Sequence, residues 1–545
     1  MSQEKSKEFT KSDDYKDTTT ADTVPASNEE RTAESCSYAG SGTLHDPYIV
    51  DWDLADPENP YNWSKPRKWV ITLQLGLSTW VAAFCSSAYT GGLGSMIKDL
   101  HTNEEVALLG VTLYVLGFGF GPLLFAPLGE VYGRRPVFLT TMSIFTLFHM
   151  GGALGRNIQT VLICRMFAGT FGSSPLTNSS GAISDIWTAR ERGVASALYA
   201  TAPFMGPVLG PIVGGWIDET PLGWRFTFWV MMMCSAVITF HGFFLAPETY
   251  APALLRKRAR KLRKASGNQV HYVSKFDLTR SKSFADKMRT NLTRPFLFLV
   301  TEPIVLLMSL YIAITYAILY AFFAAFPIVF QQHRGFSTGE GGLAFLGVGI
   351  GILFGTSLAP VNNILYWRAM DRSETGRAPP EARLYMPMMG AFLLPIGLFW
   401  FAWTSQPSVH WIVPIIAGIP IGTGTAQVMQ GLVQYIMDAY SIYCASAIAS
   451  TVLLRSLLAA IFPLISPPMF KKLGDQWAIS LFAFLATACM PLPLLFFKYG
   501  AWVRSKSKFA RNDGVLNLEP VTPPTPLDPE QGRGFTQIED EKTAT

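Results

Sequence analysis

The feature that most constrains this chain is its series of apolar runs of about 20 residues, each long enough, as a helix, to cross the hydrocarbon core of a bilayer. They lie at Trp69–Gly91, Val106–Leu128, Val137–Leu154, Thr160–Ile183, Val194–Ile217 and Phe226–Ala246. They resume at Phe296–Phe326, Gly341–Asn363, Leu384–Thr404, Trp411–Tyr435, Tyr443–Phe470 and Trp477–Lys498. Lipid offers no partner to a backbone N–H or C=O, so such segments fold as helices that satisfy their own hydrogen bonds. Charged residues are only 15% of the 545, against about 25% in a soluble domain, and they collect between the runs. The expected fold is an all-α membrane protein of twelve transmembrane helices in two six-helix bundles, residues 69–246 and 296–498. A basic cytoplasmic loop, 247–295, joins the bundles, and disordered cytoplasmic tails flank them at 1–68 and 499–545.

Orientation follows from the excess of Lys and Arg in short cytoplasmic loops. With the amino terminus inside, that side receives Arg134, Arg135, Arg190, Arg192, the Arg256–Lys264 cluster, Arg368, Arg372, Arg377 and Arg383, then Lys498, Arg504, Lys506 and Lys508. The other side receives the thinner set Lys98, Arg156, Arg225, Arg334, Lys471 and Lys472. Both termini are therefore expected in the cytoplasm. The first sixty-odd residues lack the apolar core of a cleaved signal peptide, which leaves the first span as the internal signal. The net charge of +5 comes from residues flanking spans and calls for no nucleic acid. The segment Arg256-Lys-Arg-Ala-Arg-Lys-Leu-Arg-Lys264 reads as a juxtamembrane helix on anionic lipid headgroups. Six scattered cysteines, most within spans, indicate neither a disulfide framework nor a metal cluster. Sequons start at Asn62, Asn178 and Asn291, in cytoplasmic segments or beside a span, and none is expected to carry a glycan.

Between the second and third spans stands Ala126-Pro-Leu-Gly-Glu-Val-Tyr-Gly-Arg-Arg-Pro136. Gly129 and Gly133 permit a tight turn, Glu130 can pair with an arginine or lie at a helix N-terminus, and Arg134 and Arg135 anchor the loop inside. This stretch resembles the loop signature of the major facilitator superfamily, departing from it at Ala126, Glu130 and Val131. In the fifth span, Gly206-Pro-Val-Leu-Gly-Pro-Ile-Val-Gly-Gly215 sets Gly206, Gly210 and Gly214 on one smooth face that another helix can approach. Pro207 and Pro211 remove backbone donors and favour a kink. With Gly215, the run resembles the motif of the superfamily's antiporter branches, which implies export.

Further stretches extend the resemblance from about Asp51 to Tyr499. They include Asp51-Trp-Asp-Leu-Ala-Asp-Pro-Glu-Asn-Pro-Tyr-Asn-Trp63, Trp224-Arg-Phe-Thr-Phe-Trp229, Pro247-Glu-Thr-Tyr-Ala-Pro-Ala-Leu-Leu255 and Tyr435-x-x-Asp438-x-Tyr440. Together they look like the fungal twelve-span drug:proton antiporters, a group of multidrug, polyamine and toxin exporters, and imply the major facilitator fold. Arg165 matches that family's fourth-span arginine, which the resemblance implicates in proton coupling. Arg455 in the eleventh span is comparably deep, and each arginine costs a few kcal/mol unless paired or hydrated. No span has an Asp or Glu near its middle. The titratable groups left are Glu130, Asp185, Glu302 and Asp438 near cytoplasmic ends, Asp218 and Glu219 outside, and His149 and His241 in the third and sixth spans. Glu130, Gly133, Arg134 and Arg135 read as a conformational latch.

For a substrate cavity the sequence offers neutral amides and phenols: Gln74, Asn178, Tyr311, Tyr316, Gln427, Gln430 and Gln434. The last three share one helix face by their spacing. Such groups suit amphipathic organic compounds. The expected activity is proton-coupled export of drugs, fungicides or secondary-metabolite toxins by alternating access, without a cofactor, by a monomer in the plasma membrane, with the vacuolar membrane as the alternative site. A polyamine exporter or a nutrient or siderophore uptake permease shares the same features, and a non-transporting sensor is the more distant alternative. No phosphate-binding G-x-x-x-x-G-K-[ST] loop, His-Glu metal motif or serine triad points to ATP-driven pumping or to an enzyme.

Overall fold

The computed structural model describes residues 38–510 except 54, 189–190, 279–283, 374–377, 441–442 and 508. Residues 1–37, the proline-rich tail after 510, Arg190, Arg377 and Lys508 thus lie outside the described residues. The first half contains β1 (Tyr48–Val50), α1 (Lys65–Ala88), α2 (Leu93–Asp99), α3 (Glu104–Tyr132), α4 (Arg134–Ala153), α5 (Ile158–Gly172), α6 (Ser174–Ile186), α7 (Arg192–Asp218) and α8 (Gly223–Leu245). The central segment forms α9 (Ala251–Ala265), β2 (Tyr272–Ser274) and α10 (Lys275–Leu278). The second half runs through α11 (Phe284–Thr301), α12 (Pro303–Phe326), α13 (Thr338–Leu343), α14 (Phe345–Ser357), α15 (Ala359–Asp371), α16 (Tyr385–Thr404), α17 (Ile412–Ala439), α18 (Cys444–Cys489) and α19 (Pro491–Lys506).

Local chemistry sets several of these ends. Asn103 accepts from the Val106 N–H and so caps α3, whose first turn carries Glu104 and Glu105 where the helix dipole favours negative charge. Asn157 caps α5 in the same way through Thr160. Ser337 and Glu340 form a reciprocal capping box that starts α13. Gly133, at φ 102°, ends α3 in a conformation that side chains resist, and α4 begins at the next residue.

Ten helices among the described residues are long and apolar enough to cross a membrane. One of them, Cys444–Lys506, is 63 residues, about three bilayer thicknesses at ~1.5 Å per residue. It turns back at Gly474, where φ is 72°. Phe462 and Phe482, which a straight helix would hold about 30 Å apart, stack at 5.6 Å across that turn. The run is therefore two antiparallel segments. The fourth apolar run is also a pair, α5 and α6, broken at Ser173. Counted this way, twelve bilayer-length segments occur in two sets of six.

The halves pack within themselves along α1–α7, α3–α5, α4–α8, α12–α18 and α14–α17. They meet each other along α3–α18 and along α7 with α13 and α14. Thr112 of α3 donates to the Ala460 carbonyl of α18 at 2.7 Å on that seam.

The tails and loop differ from the sequence expectation. Residues 38–68 are ordered within the stretch expected to be disordered. β1 pairs in parallel with β2, Val50 packs on Leu255 and Ala259 of α9, Asp51 bonds Lys275 at 2.6 Å, and Asp56 pairs with Arg258. Burial raises the Asp51 carboxyl, but the Lys275 bond, the Trp52 N–H and the Lys275 charge together hold it below its ordinary value. Helix α11 begins at Phe284, inside the expected loop, and α19 continues to Lys506, inside the expected tail. A polar tail orders here because a basic helix from far along the chain supplies its partners, which composition alone does not reveal.

Candidate functional site

Arg165 of α5 is fully buried and donates to the carbonyls of Cys85 (2.6 Å), Ser86 (2.8 Å) and Gly110 (3.2 Å). Cys85 and Ser86 lie in the last turn of α1, just before the 3-10 turn Tyr89–Gly92, so the guanidinium sits where the regular α-helix ends. The rings of Tyr114 and Tyr89 flank it at 4.2 and 4.6 Å. Ser86 carries the network onward, its hydroxyl lying 2.9 Å from that of Tyr320 in α12. Tyr316 donates to Tyr320 at 3.3 Å, and the Tyr316 ring lies 5.0 Å from the Arg455 guanidinium of α18. The two deep arginines thus sit at opposite ends of one polar path that crosses from the first half to the second.

The predicted amides lie elsewhere. Gln427 donates to the Gly355 carbonyl and Gln430 to Thr356 at 3.3 Å, so both tie α17 to α14. The Oε1 of Gln434 is buried without a partner. Gln74 donates to the Ile238 carbonyl at 2.8 Å and ties α1 to α8. Asn178 bonds Ser174 in its own helix at 3.1 Å and lies against Gly129. Tyr311 is fully buried with its hydroxyl unpartnered. These residues do not converge on one space, because amides at helical spacing serve neighbouring helices as readily as a cavity.

The loop between α3 and α4 forms a latch at the basic end of the first half. Glu248, just past α8, accepts from the N–H groups of Arg134 (3.0 Å), Arg135 (3.2 Å), Thr249 (3.1 Å) and Tyr250 (3.0 Å), filling the anion position at the α4 N-terminus. Arg134 binds Asp185 of α6 at 2.5 Å and stacks on Tyr250. Arg135 donates to the Phe243 carbonyl at 2.9 Å. Arg256 of α9 donates to the Val131 and Glu130 carbonyls at 2.9 and 3.2 Å, capping α3. The Glu130 carboxylate is exposed, and the helix-end role expected of it belongs to Glu248. A shallow recess opens beside this latch, lined by Ile71, Leu75, Arg134, Asn178 and Thr249. It belongs to the basic end and not to the buried Arg165 network. The second half has a similar cluster: Arg383 binds Asp438 at 2.8 Å over the Tyr366 ring, Arg504 pairs with Glu381, and Tyr440 donates to Glu302 at 2.7 Å.

The fifth-span glycine face packs on α1. A Cβ at Gly206 would lie 2.5 Å from the Phe84 nitrogen, one at Gly210 would strike Ser87, and one at Gly214 would strike the Ala88 carbonyl. Gly215 faces Thr338 of the second half instead. There, at the end opposite the latch, Glu219 accepts from the Gly339 N–H at 2.7 Å and from Thr338 at 3.3 Å. Hydrogen bonds from Ser337, Gly339 and Thr338 hold its carboxyl below the ordinary value. Pro203, Pro207 and Pro211 all lie inside α7.

His149 is fully buried with both ring nitrogens unpartnered, edge-on to Phe145, whereas His241 is exposed and bonds the Val237 carbonyl. Sequence reasoning missed Ser86, Tyr89, Tyr114, Glu248, Glu381 and Arg504. Only Glu248 had a signal, in the Pro-Glu pair directly after the sixth span. The others are common residue types whose partners lie on different helices.

The Major Facilitator Superfamily model matches residues 75–463. The chain is 48% identical over 474 residues to the MFS-type efflux pump MFS2 of Trichophyton rubrum, covering 87% of this chain and 79% of that protein. It is 47% identical over 474 residues to the major facilitator superfamily multidrug transporter mdrA of Aspergillus fumigatus, covering 87% and 77%. In fold it is similar to the proton:xylose symporter XylE, with a TM-score of 0.58 and 16% identity over 80% of this chain and 96% of that one. With two six-helix sets, a loop latch, a glycine-faced fifth span and relatives of this kind, the chain belongs to the major facilitator superfamily, among its fungal drug and toxin exporters.

Proposed function

We propose that this protein is a proton-coupled exporter of small amphipathic organic compounds, such as drugs, fungicides or secondary-metabolite toxins, working by alternating access. The observation that carries the reading is the polar path from Arg165 to Arg455, which crosses between the halves, and a rocking carrier binds its cargo between its halves. Relatives named efflux pumps and multidrug transporters support the outward direction. In this reading the latch end faces the cytoplasm with both termini, a single chain in the plasma membrane suffices, and the proton gradient supplies the energy without a cofactor. A polyamine exporter is disfavoured, because the two deep charges are arginines and no carboxylate pairs with either among the described residues.

The test is accumulation of a compound panel in cells lacking or overproducing the protein, followed by flux in inside-out vesicles with and without a protonophore. Export of at least one compound that stops when the gradient collapses is expected. Unchanged accumulation of every compound, with the protein verified in the membrane, overturns the exporter reading; gradient-driven uptake into cells favours the permease instead.

A further inference from the structure

Of the two arginines on the polar path, one is satisfied and the other has no counterpart among the described residues. Arg165 has three carbonyls and two phenol rings. Three charge-assisted bonds offset the cost of holding an arginine inside a membrane helix. Arg455 has the Tyr316 ring at 5.0 Å, a cation–π contact that satisfies none of its N–H donors. Among the described residues no carboxylate pairs with it and no carbonyl accepts from it, and its Nε is buried without an acceptor. A guanidinium keeps its proton in a protein, so it cannot escape the cost by neutralising.

Part of the Arg455 side chain nonetheless remains accessible. Its neighbours indicate where that surface opens. Tyr316 belongs to α12 and leads through Tyr320 to Ser86 of the first half; Ser456, the next residue along α18, lies against Gly119 of α3. The guanidinium therefore sits beside the seam between the halves. Gln427 and Gln430, turned toward α14, do not compete for it.

We infer that Arg455 anchors an acid group on the transported compound, so that the substrates carried best are amphipathic monoanions, carboxylates above all. A carboxylate meets the guanidinium fork through two parallel N–H···O bonds, a geometry that lysine cannot reproduce. The phenol ring of Tyr316 flanks the guanidinium with flat apolar surface for the rest of the molecule. This inference rests on the exporter reading above, and it deepens that reading by naming the class of cargo.

The experiment compares matched pairs, 4-butylbenzoate with 4-butylbenzamide and similar alkyl- and aryl-substituted acids with their amides, in gradient-driven flux by full-length protein in vesicles. The native protein is expected to export the acids about tenfold faster than the amides, equivalent to about 1.4 kcal/mol. Arg455→Gln is expected to bring the acid-to-amide flux ratio from about ten to about one, and Arg455→Lys to lower that ratio several-fold, whatever either variant does to absolute flux. Should Arg455→Gln fail to reach the membrane, Arg455→Lys carries the test, since it preserves the charge. Equal export of acids and amides by the native protein overturns the inference. So does an acid-to-amide ratio that neither variant changes. Export of neither class, nor of any compound in the wider panel, overturns the exporter reading itself and is thereby distinguished from failure of the acid preference alone.

Discussion

Arg165 ties three helices together through backbone carbonyls. Arg165→Ala would remove its charge-assisted bonds to Cys85, Ser86 and Gly110, each worth about 1.5–3 kcal/mol, and would empty space between two phenol rings. The expected outcome is loss of gradient-driven flux together with a fall in melting temperature, whereas Arg165→Lys keeps part of the stability. Flux and thermal unfolding measured on the same preparations separate the two effects; Arg165→Ala with native stability and native flux would remove the residue from the mechanism. Glu219 makes a pH prediction at the opposite end. Its carboxyl is lowered while it accepts from Gly339 across the seam, so the contact contributes fully above the ordinary glutamate value of about 4.3. The contribution is lost as pH falls through the lower value of the closed state. Spin labels at the ends of α7 and α13 should therefore stay in place from about pH 7 to about pH 4 and move apart only on further acidification. Glu219→Gln should abolish that pH dependence, and an unchanged response in the variant would rule the carboxyl out.

Among the elements, α7 shows how a sequence motif becomes a packing constraint. Gly206, Gly210 and Gly214 let the α7 backbone lie directly on α1, while their prolines remove donors within the same helix. Gly210→Val should destabilise the first half by about 1–3 kcal/mol or more through overpacking. Gly76→Ala on the exposed side of α1, where a Cβ meets nothing within 4 Å, should be neutral. Melting temperatures of the two variants check this, and equal values would show that the face is not tightly packed. The face was legible in the sequence because a repeat of four residues maps onto one side of a helix. Its partner helix was not, since apolar residues on any of several spans could have met it. The same holds for the amides Gln74, Gln427 and Gln430, whose chemistry was readable but whose acceptors are backbone carbonyls on other helices.

At the scale of the whole molecule, contacts far apart in sequence tie the amino-terminal segment to the latch. β1 holds β2, Asp56 holds Arg258 on α9, and Arg256 of the same helix caps α3 beside Gly133. Asp56→Ala would leave a largely buried guanidinium without its counterion, a change worth up to about 3 kcal/mol. Faster hydrogen exchange in β2 and easier proteolysis of the central segment are the expected readouts; unaltered exchange would mean that the strand pairing stands without the ion pair.

The sequence by itself determined that this chain spans a membrane in two sets of six helices, where the basic end lies, and which superfamily its motifs resemble. Those properties follow from run length, charge placement and local turns, which are written contiguously along the chain. Only the tertiary structure decided that Arg165 is satisfied while Arg455 is not, that Glu248 and not Glu130 fills the helix end, and that the polar amino-terminal segment is ordered. The reason is that a buried charge is judged by the carbonyls, rings and carboxylates around it. Here those partners come from helices separated by tens to hundreds of residues.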